Sequence, residues 1–526
     1  AVPMDPALAL EAVLTLLDGA QLAEADQALD SILQQLTSAL PEAWRKQVAA
    51  VDATGCAGRL IPLLEQRAAV QPGHPGLNRW LEALRPLLPA AAIDRLFRIA
   101  PGRYIAYGWQ ASAGRPELVI RSSSGAWRVV AGDGPPLRRP DVAAHLGMPT
   151  LEDCGFVQRL DLPEGFVPQR IWLNGLATEP GRVDLQGLPY LELMDALLLH
   201  CQPTTTPIER LPGLLQSALG TCLLDARQPL LDPCQWQGLI QERRHYGSPS
   251  GDGEAEITVV VPLYRRWDFV LGQVAGFAMD PWFLSGRAEL LYVVDDPSIA
   301  TEFLGWCEGH LPHEPLSITV LNLHRNSGFA MACNTGVQAT RTPLVCLLNS
   351  DVLPIEPGWL DPLVQELRAQ PDALLAPLLL YDTGLVQHAG MEVATRNDGS
   401  GLPKCIHPLK GLHRDQLETL HHDQGPYRCE ALSGAALAME RDNFLRMGGF
   451  DPTFGRGDFE DLELSLRWRR RGADLWMVPQ AALTHLERQS ISREPDRLTQ
   501  WRQLVNSWLA QTLCPELAGV GAGAAV

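Results

Sequence analysis

The chain has 526 residues, more than one ordinary hydrophobic core organises, so about two to four domains are expected. Its 46% hydrophobic and 20% charged residues exclude wholesale disorder. A formal net charge of −18 excludes a general nucleic-acid binder, because neutralising phosphates needs lysine and arginine over a broad face.

Eleven cysteines, among them Cys56, Cys154, Cys222, Cys333 and Cys514, fall without a C-x-x-C pair or zinc-like spacing, which reads as reduced structural thiols. No basic, apolar leader opens the sequence, and no apolar run approaches the roughly 20 residues that span a bilayer. The expectation is a cytoplasmic protein without a transmembrane segment. Peripheral contact with the inner face of a membrane and assembly into homo-oligomers stay open.

Residues 1–95 read as a helical region. Leu10, Val13, Leu14 and Leu17 recur at helical spacing, and Trp80, Leu81 and Leu84 form a later apolar face. Residues 16–25 resemble one unit of a helical repeat, but no second copy follows at that period, so a small bundle is the equal alternative. Residues 96–188 change to short alternating segments at 103–109, 118–121 and 125–130, separated by turns at 122–125 and 133–136. A small antiparallel β-sandwich is expected there, its tryptophans better suited to the core than to stacking on sugars. Residues 189–253 read as a helical connector over 190–242 followed by the Gly/Ser/Pro linker 247–253.

From 254 to 515 the signal is α/β, and 516–526 reads as a flexible tail. Residues 257–262 form a first buried strand, followed by a helix over about 266–278. Residues 290–294 are a second strand running into Asp295 and Asp296. Residues 317–321 are a third, leading to Arg325-Asn326-Ser327-Gly328 and a helix over 329–339. The run 343–348 is a fourth, delivering Asn349-Ser350-Asp351 at its end. Such alternation predicts a mostly parallel, Rossmann-like sheet whose carboxyl edge gathers these polar residues in one cleft. Neither a G-x-G-x-x-G fingerprint nor a Walker A pattern follows any strand, which argues against dinucleotide and P-loop chemistry.

In order, the pieces Val293-Val294-Asp295-Asp296, Leu347-Leu348-Asn349-Ser350-Asp351, Ser433-Gly434-Ala435-Ala436, Gly448-Gly449-Phe450-Asp451 and Phe459-Glu460-Asp461-Leu462-Glu463 resemble the GT-A glycosyltransferases of family 2. So do the first strand at 259–264 and the segment 326–336. The resemblance covers about 256–489 and implies a GT-A fold there. It implies that Asp295 or Asp296 holds the nucleotide base, with Arg325, Asn326 and Asn349 beside the nucleotide. Asp351 is implied as ligand of a Mn2+ or Mg2+ ion, although Asn349 stands where the family usually has a first metal-motif aspartate. Asp461 is implied as the catalytic base, with Glu460 its rival and Asp458 a poorer one. His485 is implied as a third metal ligand or a phosphate donor.

Plainer readings stand beside these. Asp295 and Asp296 also suit a strand-end turn, one acid of 458–461 suits a helix N-terminus, and a lone histidine is usually structural. Residues 475–479 read as an edge strand. The arginines from Arg467 to Arg471 read as a solvated face, with Arg467 the one to turn inward. His388, His407, His413, His421 and His422 read as part of a mobile loop over the acceptor, with no ligand among them.

The resemblance implies an inverting, metal-dependent transferase moving a sugar from a nucleotide-diphosphate donor to a hydroxyl of a glycan or glycolipid, in surface polysaccharide synthesis. The alternatives are a sugar-phosphate nucleotidyltransferase, which lacks its glycine-rich, lysine-containing loop here, and a non-catalytic glycan-binding or scaffold protein.

Overall fold

The computed structural model describes residues 6–33, 56–72, 74–112, 115–132, 136–178, 182–184, 188–201, 206–249, 251, 253–420, 425–486 and 497–519. His421 and His422, residues 133–135 of one expected turn, Ser250 and Asp252 of the linker and 520–526 of the tail lie outside these. The chain divides into two compact units, residues 1–226 and 227–526.

In the first unit a five-stranded and a four-stranded sheet pack face to face, as alternating short strands require. Ile93, Leu96 and Tyr104 of one sheet meet Leu118, Ile120 and Ile171 of the other in a shared core. The first strand, Ala91–Ala100, already begins inside the stretch read as helical. Helices Pro6–Asp18, Leu22–Leu33, Cys56–Val70 and Pro75–Leu84 bury their apolar faces against the other side of the four-stranded sheet, on Val119, Trp127 and Trp172. Trp172 is fully buried and donates from its indole nitrogen to Glu65 at 2.8 Å, which settles its place in the core.

The second unit is built on one mixed sheet. Nine of its eleven strands, β1 (Ile240–Tyr246), β2 (Ile257–Leu263), β3 (Ala288–Val294), β4 (Ile318–Leu323), β5 (Leu344–Leu348), β6 (Val352–Pro354), β7 (Leu374–Leu380), β8 (Ala436–Glu440) and β9 (Leu475–His485), lie side by side in the order β1-β4-β3-β2-β5-β8-β7-β9-β6, and the short strands Val386–His388 and Tyr427–Arg428 pair with β7 and β9. β4, β3, β2 and β5 are parallel neighbours, the α/β core expected from the sequence. β1, read as the end of a helical connector, is instead an antiparallel edge strand on β4. Gln241, Arg243 and His245 alternate outward and Glu242 and Arg244 are half-buried, so its apolar signal is thin.

β2 and β5 are buried along nearly their whole length because both faces are covered. Val259 and Val261 face one core with Phe277 and Phe303, while Val260 faces the other with Cys333 and Val337. Each such side chain contributes roughly 1.5–3 kcal/mol by burial. The helix after β4, α2 (Phe329–Ala339), lies directly on the sheet: a Cβ on Gly336 would stand 2.5 Å from a Val260 methyl.

Residues 475–479 are not an edge strand. β9 runs for 11 residues with β7 on one side; on the other, Tyr427 and Arg428 pair with Met477 and Trp476, and β6 pairs with Leu483, Thr484 and His485. Its ladder with β7 jumps from the pair Pro377–Val478 to Leu378–Ala482. Pro479 falls in that bulge, where a missing N–H costs no ladder bond. Within the segment expected as a mobile loop, strands Glu392–Thr395 and Pro403–Ile406 pair as a hairpin, and a helix follows at Arg414–Leu420. The ten cysteines from Cys154 to Cys514 are unpaired, and among the described residues no helix is long and apolar enough to cross a membrane.

Candidate active site

A cavity of about 470 Å3 opens at the carboxyl edge of the parallel strands. Asp295, Asn326, Asn349, Asp351, Glu460, Asp461 and His485 line it; Asp296 and Arg325 do not.

The two aspartates after β3 point different ways because successive residues of an extended chain do. Asp295 is 3% exposed and accepts from the Ser327 N–H and hydroxyl, both at 2.7 Å, and from the Gly328 N–H at 2.8 Å. Burial pushes its carboxyl up to about 7, against the pull of those three donors. It fixes the loop before α2, where Gly328 takes a φ of 88° that suits glycine alone. Asp296 turns away to cap helix α1 (Pro297–His310): it accepts from Ser298 N at 2.9 Å and from Arg265 N at 3.1 Å. The Asn334 side chain clasps Phe450 through both its carbonyl and its N–H, at 2.8 Å each, and serves conformation.

After β5 the chain turns through Asn349 and Asp351 and leaves the parallel core. Asn349 N donates to Ala435 O at 2.9 Å, and β6 then pairs antiparallel with the end of β9, bringing Val352 opposite His485. This places His485 Nε2 at 3.3 Å from Asp351 Oδ1, with both residues 7% exposed. His485 Nδ1 is 3.2 Å from Gln387 Oε1, and with Nδ1–H donating there, Nε2 faces the Asp351 carboxylate. This spacing suits an Nε2–H bond to the carboxylate, and it also suits a divalent ion, whose ligand atoms at about 2.0–2.2 Å stand roughly 3 Å from each other. Among the described residues no group of three or more His, Cys, Asp or Glu gathers for a metal. The pair therefore fits an ion that takes its remaining ligands from water and substrate.

Across the cavity, helix α3 (Glu460–Arg470) begins with its acids at the mouth. Asp461 Oδ2 accepts from Gly434 N at 2.9 Å and Oδ1 from Leu462 N at 2.8 Å. Glu460 is 7% exposed, and its Oε2 is buried without a partner. Burial, then the charges of Asp461 and Asp458, push Glu460 well above the usual carboxylate range. Asp461 is also raised, by burial first, while its two N–H donors oppose the shift. Neighbouring carboxyls like these titrate as a pair, and the two N–H donors favour the charge on Asp461 over Glu460, whose Oε2 has none. Further along α3, Arg467 turns inward to Glu463 at 2.6 Å and to Gly449 O at 2.7 Å, which removes it from the solvated face.

Several lining residues carried no signal that singled them out: Lys404 and Cys405 come from the hairpin, Arg456 reaches Tyr264 at 3.2 Å, and Gln503 arrives from helix α4 (Arg497–Leu513). His407, read only as part of a loop over the acceptor, lines the cavity as well. His388, buried behind the hairpin, sits 3.1 Å from His407 through their Nδ1 atoms. The loop Asn397-Asp398-Gly399-Ser400-Gly401 between the hairpin strands is a turn signature that would have found it.

Residues 255–508 match the family model described as glycosyltransferase like family 2. An uncharacterized protein of Sinorhizobium fredii is 28% identical over 257 residues, 48% of this chain and 27% of that one. A pre-mycofactocin glycosyltransferase of Mycobacterium tuberculosis is 29% identical over 246 residues, 46% of this chain and 45% of that one. The chain thus spans less than half the length of either relative. Among solved structures, GalNAc-T7 with UDP, GalNAc and Mn2+ aligns at a TM-score of 0.39 and 19% identity, over 50% of this chain and 48% of that one.

Proposed function

Residues 255–508 belong to the glycosyltransferase-like family 2, and from that premise we propose that this chain is an inverting transferase using a nucleotide-diphosphate-sugar donor. The acceptor is a hydroxyl of a glycan or glycolipid. The observation that carries this reading is the pairing, in one cavity, of the backbone-held Asp461 carboxyl with the adjacent Asp351 and His485 side chains.

Asp461 takes the proton of the acceptor hydroxyl as its oxygen attacks the anomeric carbon. The bond from that carbon to the diphosphate oxygen breaks in the same displacement, and the nucleoside diphosphate leaves with the electron pair. A single in-line step with no nucleophile from the protein inverts the configuration. Asp351 and His485 would hold a divalent cation, which supplies positive charge for the leaving diphosphate. Asp295 acts through Ser327 and Gly328, keeping the loop of Asn326 in place against the nucleotide. Glu460, neutral, leaves the negative charge on Asp461 undivided.

The test is a panel of UDP- and GDP-sugars with Mn2+, read as released nucleoside diphosphate and as thermal shift. Release from at least one donor, lost together with Mn2+-dependent nucleotide binding in Asp351→Ala, is expected. Pyrophosphate release from a nucleoside triphosphate and a sugar phosphate would instead establish a nucleotidyltransferase, and binding of no nucleotide sugar a scaffold.

A further inference from the structure

The turn that leads into α3 is held in an unfavourable backbone shape. Gly455 and Gly457 have φ of 65° and 122°, and Asp458 and Phe459, neither of them glycine, have φ of 77° and 79°. Two consecutive side-chain-bearing residues in the left-handed region persist only where their surroundings over-determine them. Phe459 caps α3 without a side-chain bond, and Glu460 and Asp461 are the first residues of the helix. The direction of this turn therefore sets where the Asp461 carboxylate stands.

What holds it comes from helix α4, far along the chain from the turn. Asn506, 2% exposed on α4, donates from Nδ2 to the carbonyls of Phe454 at 2.9 Å, Gly457 at 2.6 Å and Asp458 at 3.1 Å. Its Oδ1 is buried without a partner. The reversed amide would set that oxygen against three carbonyls, so the orientation is fixed by the turn. Asparagine is a poor helix former, and an orphaned buried oxygen is costly, so packing alone does not account for this residue in mid-helix. Its neighbour Ser507 donates to Pro403 O on the hairpin, and Gln503, one turn earlier, lines the cavity. One helix face braces both the acidic turn and the hairpin.

We propose that Asn506 is a positioning residue for proton transfer, clamping the 455–459 turn so that Asp461 meets the acceptor hydroxyl. This rests on the transferase reading above. The test uses the full chain with Asn506→Ala and the isosteric Asn506→Asp, which offers oxygens where donors are needed. For the donor that turns over in the panel, kcat is expected to fall about 10- to 100-fold, because small misplacements of a reacting group cost that much. The Kd for UDP or GDP with Mn2+ should stay within about twofold, and the acid limb of the pH profile should move. Backbone amide exchange at 455–461 should accelerate in both variants, with the parallel strands unaffected. Should Asn506→Ala not fold, Asn506→Ser, which keeps one donor, is read in its place. Folded variants with wild-type kcat, pH profile and exchange would overturn the proposal. If the unmodified chain releases nucleotide from no donor, the transferase reading fails on that result, and amide exchange at 455–461 alone decides: faster exchange retains the clamp and unchanged exchange removes it.

Discussion

Two acidic walls face each other across the cavity, and they are acidic in opposite senses. At the strand-end wall Asp295 spends its lone pairs on three donors from Ser327 and Gly328. At the helix-start wall Glu460 leaves one oxygen without a donor, and Asp461, which follows a turn held at left-handed φ, accepts from the N–H groups of Gly434 and Leu462. The first arrangement fixes backbone; the second keeps a carboxylate basic. Burial is common to both, so the number of donors, not depth, separates a structural acid from a reactive one.

Breaking the comparison at its reactive end should give the largest effect. Asp461→Asn is expected to lower turnover by about a hundredfold or more while nucleotide binding persists, measured as single-turnover rate and calorimetric Kd; turnover close to the unmodified chain would move the base elsewhere. At the other wall, Asp295→Ala strands the Ser327 N–H and leaves the Gly328 N–H only Asn326 Oδ1 at 3.1 Å, and should cost roughly 2 kcal/mol, read as a shift of the urea midpoint at constant m-value. A shift no larger than that of an exposed substitution would show that the loop before α2 holds itself.

Asp458 sharpens the contrast through pH. Its charge helps raise Asp461, after burial. A base with a raised pKa loses activity as pH falls through that value, so the acid limb of kcat should lie above the ordinary carboxylate range. Asp458→Asn removes one like charge and should move that limb to lower pH; a limb that stays would take Asp458 out of the set. The smallest effect is expected at Asp296, the neighbour of Asp295. Asp296→Ala removes a helix cap and should cost about 1 kcal/mol, with kcat intact. A lost kcat there, with stability preserved, would place Asp296 in the chemistry after all.

The parallel strands and the positions of Asp295 and Asp351 were readable because buried apolar runs announce themselves and their ends are marked by polar residues. Which of Asp295 and Asp296 faces the cavity was not, since that follows from a single dihedral at the strand end. β9 was misplaced at an edge because Pro479 reads as a ladder breaker, and a bulge hides from any periodicity. The histidines between Gln387 and Tyr427 drew attention from the turn that makes their hairpin. Asn506 lay furthest from view, because an amphipathic helix looks the same whether its one buried amide meets three carbonyls or none.

Asp351 and His485 stand together only because β6 finds β9 across a long stretch of chain, the pair Val352–His485 closing the far edge of the sheet. Pairings so distant in sequence carry a large closure entropy and tend to form late. A ligand that bridges the two residues then favours the folded state alone, adding about 2.7 kcal/mol at a hundredfold excess over its Kd. The last strand to dock would be the one whose unzipping such a ligand slows.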